Sequence, residues 1–306
     1  LPMKLASIDL GTNSLTVTLL EENNGEVRLI KEWVKIIRLG QGLKTGGLLH
    51  PHAKARCLGA LKFCCKRINA HGVNKILAVG TAALRNAKDG KKFVKQIESQ
   101  CGVSFKILSG EEEAELTFKA ITNEFGHLGK SLFMIDIGGG STELVAGDIN
   151  NIKSRISLNV GTVSFSEKYF KDDPPSYKDL ASAKKELSEM ILPLSFQLQS
   201  SVVVGVAGTI TTLKAVELQM ENYDHSFIHG KELTLNSIIK LGKLFLSMSN
   251  LKRAKLKGLP SERSDIIPMG VIILEAILRK INRQSIIISD HGLRWGLIYR
   301  WIDENL

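Results

Sequence analysis

The stretch Met134-Ile-Asp-Ile-Gly-Gly-Gly-Ser-Thr-Glu143 stands near the middle of a chain of 306 residues. The apolar run before Asp136 predicts a buried strand, and three glycines, two hydroxyls and Glu143 follow it. Glycines after a strand let backbone N–H groups approach and point at a phosphate. Asp136 and Glu143 could hold a divalent cation beside it, because Mg²⁺ favours one or two carboxylates together with phosphate oxygens. The plainer alternative is a Gly-rich hairpin turn with exposed carboxylates.

The pattern occurs a second time near the N-terminus, in Ser7-Ile-Asp-Leu-Gly-Thr-Asn-Ser-Leu-Thr-Val17. Each copy has an apolar strand, an aspartate, an apolar residue, a glycine, two small or polar residues, a serine and a further strand. Such a repeat indicates two related domains, each offering one phosphate-binding hairpin to a shared cleft. It favours the phosphate site over the plain hairpin.

Composition narrows the class of protein. Hydrophobic residues make up 43% and charged residues 24%, as in ordinary globular proteins, while the formal net charge is +10. That excess favours polyanionic partners such as phosphate polymers or nucleotides. No apolar run is long enough to span a bilayer and no signal-peptide pattern is present, so we expect a cytoplasmic protein. We interpret the four cysteines, Cys57, Cys64, Cys65 and Cys101, as reduced and mostly buried thiols.

Strand and helix patterns predict an α/β protein. The first 125 residues read as β-β-β-α-β-α-β-α, and the part after residue 131 opens with three strands in the same way. Ser109 followed by Glu112 has the spacing of a capping box at the start of a helix. Farther along, the pattern predicts a long helix over 177–199.

Three further groups of residues have chemical potential. Ser109-Gly-Glu-Glu-Glu-Ala-Glu115 places four carboxylates at a helix start, where they either complement the helix dipole or include a general base. Arg85, directly after a strand, is either a solvated loop arginine or a bidentate phosphate ligand. Gly205-Val-Ala-Gly-Thr209 brings small residues to a helix N-terminus, which suits an anion. His229-Gly230 and Ser289–Arg294 either line the same cleft or are structural.

Eight stretches in order resemble the exopolyphosphatase/guanosine pentaphosphate phosphohydrolase family, Ppx/GppA, of the actin-like ATPase superfamily. The stretches cover nearly the whole chain, and the ordered series is much more specific than a single glycine loop. They are Asp9–Ser14, Gly80–Ala87, Ser109–Ala114, Asp136–Glu143, Gly208–Leu213, His229–Gly230, Arg263–Pro268 and Ser289–Arg294.

The resemblance implies an α/β fold of two ribonuclease H-like (actin-like ATPase) domains with a cleft between them. Residues 1–125 with a C-terminal helix from about 293 to 306 would form the first domain, and residues 126–292 the second. It also implies Mg²⁺-dependent (or Mn²⁺-dependent) release of terminal phosphates from inorganic polyphosphate, or conversion of pppGpp to ppGpp. A homodimer is compatible with the sequence, but no pattern indicates it.

The resemblance also implies roles for individual residues. Glu113 matches the glutamate that acts as general base on the attacking water, Arg85 an arginine against the phosphates, and Glu143 a position near the metal and the water. The implied metal ligands are Asp9, Asp136 and Glu143. The implied phosphate-binding residues are Gly11, Thr12, Asn13, Ser14, Gly138, Gly139, Gly140, Ser141, Thr142, Gly208 and Thr209.

Four positions depart from the family pattern. Thr16 and Ser164 stand where cationic residues are common, Ala207 replaces a glycine, and Trp295 replaces a glutamate. Lost cationic contacts would weaken the binding of a long polyanion, which keeps open a catalytically weak sensor of (p)ppGpp or polyphosphate. A sugar-type kinase of the same superfamily is a further alternative, for which neither an adenine pocket nor a catalytic aspartate is evident.

Overall fold

The structure, a computed structural model, describes residues 2–43, 46–196, 198 and 201–306. The chain forms two compact units. Unit 1 extends to Ala120 and includes Leu293–Leu306, and unit 2 is Ile121–Gly292. The first part of unit 1 thus ends at Ala120, whereas the sequence-based prediction ends the first domain at residue 125.

Unit 1 is built on a five-stranded sheet with the strand order β3-β2-β1-β4-β5. The first three strands are antiparallel, and β4 and β5 continue the sheet in parallel. Its elements are β1 Met3–Leu10, β2 Ser14–Asn23, β3 Glu26–Ile36, α1 Pro51–Ala70, β4 Lys75–Gly80, α2 Ala82–Asn86, α3 Gly90–Cys101, β5 Lys106–Ile107, α4 Gly110–Phe125 and α11 Leu293–Asn305, of which α4 runs past the boundary.

Two apolar layers hold this sheet. On one side the buried faces of α1 and α3 pack against β1 and β2 in a single cluster that includes Leu61 and Phe93. In a second cluster, Trp295 and Ile298 of α11 pack with Leu5 and Leu20 of the first two strands. Trp295, one of the departures from the family pattern, is therefore a core residue.

Unit 2 is built on a six-stranded sheet with the order β10-β11-β9-β6-β7-β8. Its hairpin strands β6, β7 and β8 are antiparallel, and β9 lies parallel to β6. Its elements are β6 Ser131–Ile137, β7 Thr142–Gly147, β8 Ile152–Leu158, α5 Thr162–Tyr169, α6 Tyr177–Ile191, β9 Ser201–Val206, α7 Ala207–Glu217, β10 Glu232–Thr234, α8 Leu235–Leu246, α9 Asn250–Arg253, α10 Ile267–Lys280 and β11 Ser285–Ile288.

Four strands have the same arrangement at the centre of both sheets, as the sequence repeat predicts. In each, three antiparallel strands are followed by a parallel strand that pairs with the first of them. Asp9 pairs with Val79 across β1 and β4, and Asp136 pairs with Val206 across β6 and β9. The segment after each of these parallel strands is therefore placed beside the hairpin turn of its own unit.

Local predictions fared unevenly. The capping box is confirmed, because Glu112 N donates to Ser109 Oγ (3.1 Å) and Ser109 N donates to Glu112 Oε2 (2.9 Å). The helix over 177–199 is wrong in length, since α6 ends at Ile191. Pro193 follows closely, and it lacks the N–H that a continuing helix needs. Residues 197 and 199 of that prediction lie outside the described residues.

All four cysteines are free thiols, as predicted, and Cys57, Cys64 and Cys65 are buried. Burial raises the pKa of Cys57 to about 12 and that of Cys65 to about 11. Among the described helices, none combines the length and the apolar composition that crossing a bilayer would require.

Candidate active-site residues in each unit

The two repeated glycine motifs form hairpin turns closed in the same way. Gly11 N donates to Ser14 O at 2.9 Å, and Gly138 N donates to Ser141 O at 3.0 Å. A Cβ atom on Gly11 would lie only 3.2 Å from the Ser14 carbonyl oxygen, and a Cβ atom on Gly138 only 3.1 Å from that of Ser141. A side chain at the start of either turn would therefore crowd the hydrogen bond that closes it.

The turn of unit 2 is supported by the first turn of α5. Thr162 N donates to Gly138 O at 3.0 Å and Val163 N donates to Gly139 O at 2.8 Å. This close approach depends on Gly161, where a Cβ would lie 2.4 Å from the carbonyl of Gly139. The carbonyls of Gly138 and Gly139 are thus engaged by backbone N–H groups of α5.

The turn of unit 1 is supported differently. The segment directly after β3 donates to its carbonyls, with Ile37 N to Asn13 O at 2.9 Å and Gly40 N to Thr12 O at 2.9 Å. A Cβ on Gly40 would lie 2.3 Å from the methyl carbon of Thr12. Both loops therefore have their carbonyls fixed by the segment that follows the third strand, although only unit 2 uses a helix there.

Arg85 and Glu113 form an ion pair in unit 1, which the sequence analysis does not predict. Arg85 is on the short helix after β4, Glu113 is in the first turn of α4, and Nη1 lies 3.0 Å from Oε2. The same Nη1 donates to the carbonyl of Leu108 at 3.0 Å. The predicted base and the predicted phosphate ligand are thus in direct contact.

Two carboxylates of unit 1, those of Asp9 and Glu113, lie in a poorly solvated environment. Burial raises the pKa of Glu113, and the neighbouring Arg85 guanidinium partly offsets the rise. Burial and the charge of Glu113 raise the pKa of Asp9 to about 7, against the opposing charge of Arg294. Oδ1 of Asp9 is buried without a hydrogen-bond partner. A buried carboxylate oxygen with no partner is costly unless it binds a proton or a cation.

Asp136 and Glu143 are cross-strand partners in unit 2. They occupy opposite positions in the β6–β7 register, which places both side chains on one face of the sheet. Asp136 is partly exposed. Glu143 is only 1% exposed, and Ser157 Oγ donates to its Oε1 at 2.8 Å. Two of the three predicted metal ligands are therefore adjacent.

Two of the predicted phosphate-binding hydroxyls make hydrogen bonds inside unit 2. Thr142 Oγ1 donates to Val160 O at 2.6 Å, and Thr209 Oγ1 donates to Ile137 O at 3.3 Å. Both residues are buried. Both hydroxyl protons are therefore donated inside unit 2 rather than to a ligand.

The first turn of α7, directly after β9, is contacted by an arginine whose role is not evident from the sequence. A Cβ on Gly208 would lie 2.0 Å from Nη1 of Arg263, so this guanidinium packs directly on the backbone of that turn. Burial lowers the pKa of Arg263. The stretch Arg263–Pro268 belongs to the family resemblance, but no local pattern gives the arginine a role. Ala207, the first residue of α7, has a left-handed φ of 73°.

Unit 2 also contains a group of metal-ligating side chains made of other residues. Glu124, His229 and His291 offer ligand atoms that all lie within 4.8 Å of one another, the one such group of three among the described residues. The sequence analysis notes both histidine motifs. Glu124 escapes notice because it lies at the end of α4, far along the chain from either histidine.

The remaining departures from the family pattern have structural positions. Thr16 is buried and lies opposite Asp9 in the β1–β2 register. Ser164 Oγ lies 3.3 Å from both N and O of Gly161, at the start of α5. Neither side chain carries a charge that could bind phosphate.

Several named relatives are similar to nearly the whole of this chain. The chain is 28% identical to exopolyphosphatase 2 of Mycobacterium tuberculosis, covering 96% of this chain and 97% of that protein. It is 30% identical to a guanosine-5'-triphosphate,3'-diphosphate pyrophosphatase of Vibrio cholerae, over 98% of this chain and 59% of that protein. A bifunctional 3-dehydroquinate synthase/phosphatase of Fusobacterium nucleatum is 33% identical over 98% of this chain, which spans 46% of that protein.

A solved Ppx/GppA family member from Aquifex aeolicus aligns with a TM-score of 0.84 and 30% identity, covering 100% of both chains. The predicted two-domain, actin-like fold class is thereby confirmed. The family model described as "Ppx/GppA phosphatase family" matches residues 3–305. The chain therefore belongs to the Ppx/GppA phosphatase family, a family of hydrolases.

Proposed function

We propose that the chain hydrolyses the terminal phosphoanhydride bond of inorganic polyphosphate, of pppGpp, or of both. The observation that carries this proposal is the grouping of Asp9, Arg85 and Glu113 in unit 1. The relatives named as an exopolyphosphatase and as a guanosine-5'-triphosphate,3'-diphosphate pyrophosphatase support the substrate class.

Glu113 is the proposed general base for the attacking water. Because burial raises its pKa, it accepts a proton more readily than an exposed glutamate does. The ion pair with Arg85 fixes its orientation through the 3.0 Å contact. A positioned base with a raised pKa suits a reaction in which the enzyme must hold and deprotonate a water in line with the leaving group.

Arg85 is the proposed phosphate ligand beside this base. Its Nη1 is engaged by Glu113 and by the carbonyl of Leu108. We propose that Nη2, which makes neither contact, binds a phosphate oxygen of the substrate. Arginine suits this role because its planar fork presents several donors at fixed angles.

The glycine loops are the proposed sites for the remaining phosphate oxygens. In the turn of unit 2, the carbonyls of Gly138 and Gly139 are engaged by α5. A phosphate needs N–H donors, and engaging the carbonyls on one side favours N–H groups on the other. At the start of α7, we propose that Arg263 adds a positive charge beside Gly208. The excess of positive charge over the chain would draw a polyanion towards these loops.

The proposed ligands of a divalent metal are Asp9, Asp136 and Glu143. The chemistry of the residues in each unit suits Mg²⁺ or Mn²⁺: Asp136 and Glu143 of unit 2 offer adjacent carboxylates, and Oδ1 of Asp9 in unit 1 is buried without a partner. Bound there, the ion would neutralise charge on the phosphoryl group being transferred. Ser157 would keep Glu143 oriented through its 2.8 Å hydrogen bond.

The test is phosphate release by the full chain with Mg²⁺, with long-chain polyphosphate, pppGpp and ATP offered separately. The Glu113→Gln variant removes the base but keeps the shape of the side chain. Glu112→Gln is the matched control, because Glu112 lies beside it but pairs with Lys106 and Ser109. We expect Glu113→Gln to lose about 10²- to 10⁴-fold in rate while still binding polyphosphate, and Glu112→Gln to stay near the wild-type rate.

The result separates the competing functions. Release from polyphosphate or pppGpp but not from ATP would support the phosphohydrolase and identify its substrate. Near wild-type activity in Glu113→Gln would refute the assignment of the base. Binding of polyphosphate or ppGpp without release from any substrate would instead make the chain a sensor, as the uncharged Thr16 and Ser164 would allow.

A further inference from the structure

We propose that Glu124, His229 and His291 form a binding site for a zinc-class transition metal ion, separate from the magnesium ligands proposed above. The three ligand atoms lie within 4.8 Å of one another, and all three side chains are partly buried. All belong to unit 2. None has a place in the proposed hydrolysis.

The distances are close to those of a chelate. His291 Nδ1 lies 2.9 Å from Glu124 Oε1, and His229 Nε2 lies 3.6 Å from Glu124 Oε2. The two oxygens of one carboxylate thus each face a different imidazole. A tetrahedral zinc ion with bonds of about 2.0–2.1 Å holds its ligands roughly 3.4 Å apart. Small side-chain movements would therefore satisfy the geometry.

The backbone holds the two histidines in register. Gly230 N donates to Ile288 O and Ile288 N donates to Lys231 O, both at 2.8 Å, which ties the His229 segment to the end of β11. Ser289 Oγ donates to His291 O at 2.8 Å. The backbone that carries the two histidines is therefore held in place even without an ion between the rings. Such pre-positioning lowers the cost of organising a site when the ion arrives.

Ring contacts restrict the imidazoles further. The ring of Phe125 stacks on His229, with centroids 5.2 Å apart. The His229 and His291 rings lie 4.4 Å apart, tilted by 36°. These contacts limit rotation of both rings and leave their edges towards Glu124.

The donor set selects the class of ion. Two imidazole nitrogens and one carboxylate oxygen suit zinc and its neighbours, whereas Mg²⁺ favours oxygen ligands only. The same three ligand types hold zinc in sites that keep a fourth position for water or an anionic oxygen. We therefore expect the group to prefer Zn²⁺ over Mg²⁺, in contrast with the all-carboxylate set of the proposed hydrolysis.

Zinc binding would break the hydrogen bond between the Asp290 amide and His229, and this change can be measured. Asp290 N donates to His229 Nδ1 at 3.2 Å, so in the neutral ring the proton sits on Nε2. An ion bound at Nε2 would displace that proton, which would move to Nδ1 as the ring takes its other neutral tautomer. The Asp290 amide would lose its acceptor, and its NMR signal should shift on zinc binding.

The test uses the full chain, freed of metal with a chelator and titrated with Zn²⁺ by calorimetry in excess Mg²⁺. We expect one Zn²⁺ per chain, with affinity weakened at least about 10- to 100-fold by His229→Ala, His291→Asn or Glu124→Gln. His225→Ala is the matched control, since His225 is exposed in the same loop. The double variant His50→Ala/His52→Ala controls for chance binding by the stacked histidine pair of unit 1.

The outcomes are distinct. Equal zinc affinity in the wild type and in His229→Ala, or loss of binding only in the His50/His52 variant, would overturn the site. So would tight binding without any shift of the Asp290 amide. Circular dichroism and thermal unfolding in chelator verify that each variant folds. Asp136→Asn should retain the zinc site, so failure of this proposal and failure of the proposed hydrolysis are separately visible.

Discussion

The hairpin turns of the two units are closed by the same backbone hydrogen bond but differ in the residue opposite the aspartate. In β1–β2, Asp9 faces Thr16, whereas in β6–β7, Asp136 faces Glu143. Unit 1 therefore has a single carboxylate at this position, with a buried, unpartnered oxygen and a pKa raised to about 7. Unit 2 has a pair of carboxylates on one face of its sheet.

The two turns also differ in their support. The first turn of α5 donates to the loop of unit 2, while a non-helical segment after β3 donates to the loop of unit 1. One repeated motif thus fixes the turn geometry, and its neighbours fix the charge and the rigidity of each copy. Four experiments test this contrast, in order of decreasing expected effect.

Asp136→Asn should give the largest effect. Removing one carboxylate of the pair in unit 2 should lower Mg²⁺-dependent phosphate release at least about 1000-fold, which corresponds to about 4 kcal/mol. The measurement is the rate over a Mg²⁺ titration. Asp148→Asn, near the other end of the same hairpin, is the control and should behave as wild type. An unchanged Mg²⁺ dependence in Asp136→Asn would remove the metal role from this pair.

Asp9→Asn should weaken phosphate release but stabilise the metal-free protein. Because the folded-state pKa of Asp9 is raised to about 7, ionisation destabilises the fold increasingly as pH rises from 3.8 to 7. Ionised Asp9 can destabilise the fold by at most about 4 kcal/mol. We expect Asp9→Asn to gain about 2–3 kcal/mol in the free energy of unfolding at pH 8, because neighbouring groups relax. Urea unfolding in chelator at pH 8 and at pH 5 measures the gain, which should shrink at the lower pH. A loss of stability at pH 8 would show that Asp9 is well solvated.

Gly161→Ala should destabilise the fold more than Gly40→Ala does. The new Cβ in unit 2 would meet the backbone of Gly139 at 2.4 Å, while in unit 1 it would meet a Thr12 methyl group that can rotate away. We expect a cost of about 2 kcal/mol for Gly161→Ala and less for Gly40→Ala. Urea unfolding of both variants measures the difference. Equal costs would mean that the two supports are equally adaptable.

Ala207→Gly should have the smallest effect and the opposite sign. Ala207 has a φ of 73°, which glycine adopts without strain. We expect a gain of less than about 1 kcal/mol in the free energy of unfolding. The control is Ala55→Gly in the exposed part of α1, which should lose up to about 1 kcal/mol. If both changes destabilise the protein, the backbone at Ala207 is not strained.

Much of the fold follows from local sequence because its signals are local. The apolar strands, the glycine turns and the Ser109–Glu112 capping box each depend on residues within a few positions of one another. The helix over 177–199 is overextended because periodicity outweighed Pro193 in the prediction. The candidate site is less accessible to such reasoning. The family resemblance gives roles to Arg85 and Glu113, but no pattern predicts that they pair.

One physical reason explains why the sequence gives no signal for the roles of Arg263 and Glu124. Arg263 reaches Gly208, and Glu124 reaches His229 and His291, only because strands and helices distant in sequence meet in the fold. A charged side chain in a helix gives no signal of the backbone or ring against which it will pack. Contacts of this kind depend on tertiary structure.

The buried cysteines of α1 have a practical consequence. With the pKa of Cys57 raised to about 12 and that of Cys65 to about 11, almost none of either thiol is ionised near neutral pH. The thiolate is the form that alkylating reagents and peroxides attack. These two side chains should therefore resist labelling in the folded protein. A single cysteine introduced on the surface could then carry a fluorophore while both remain in place.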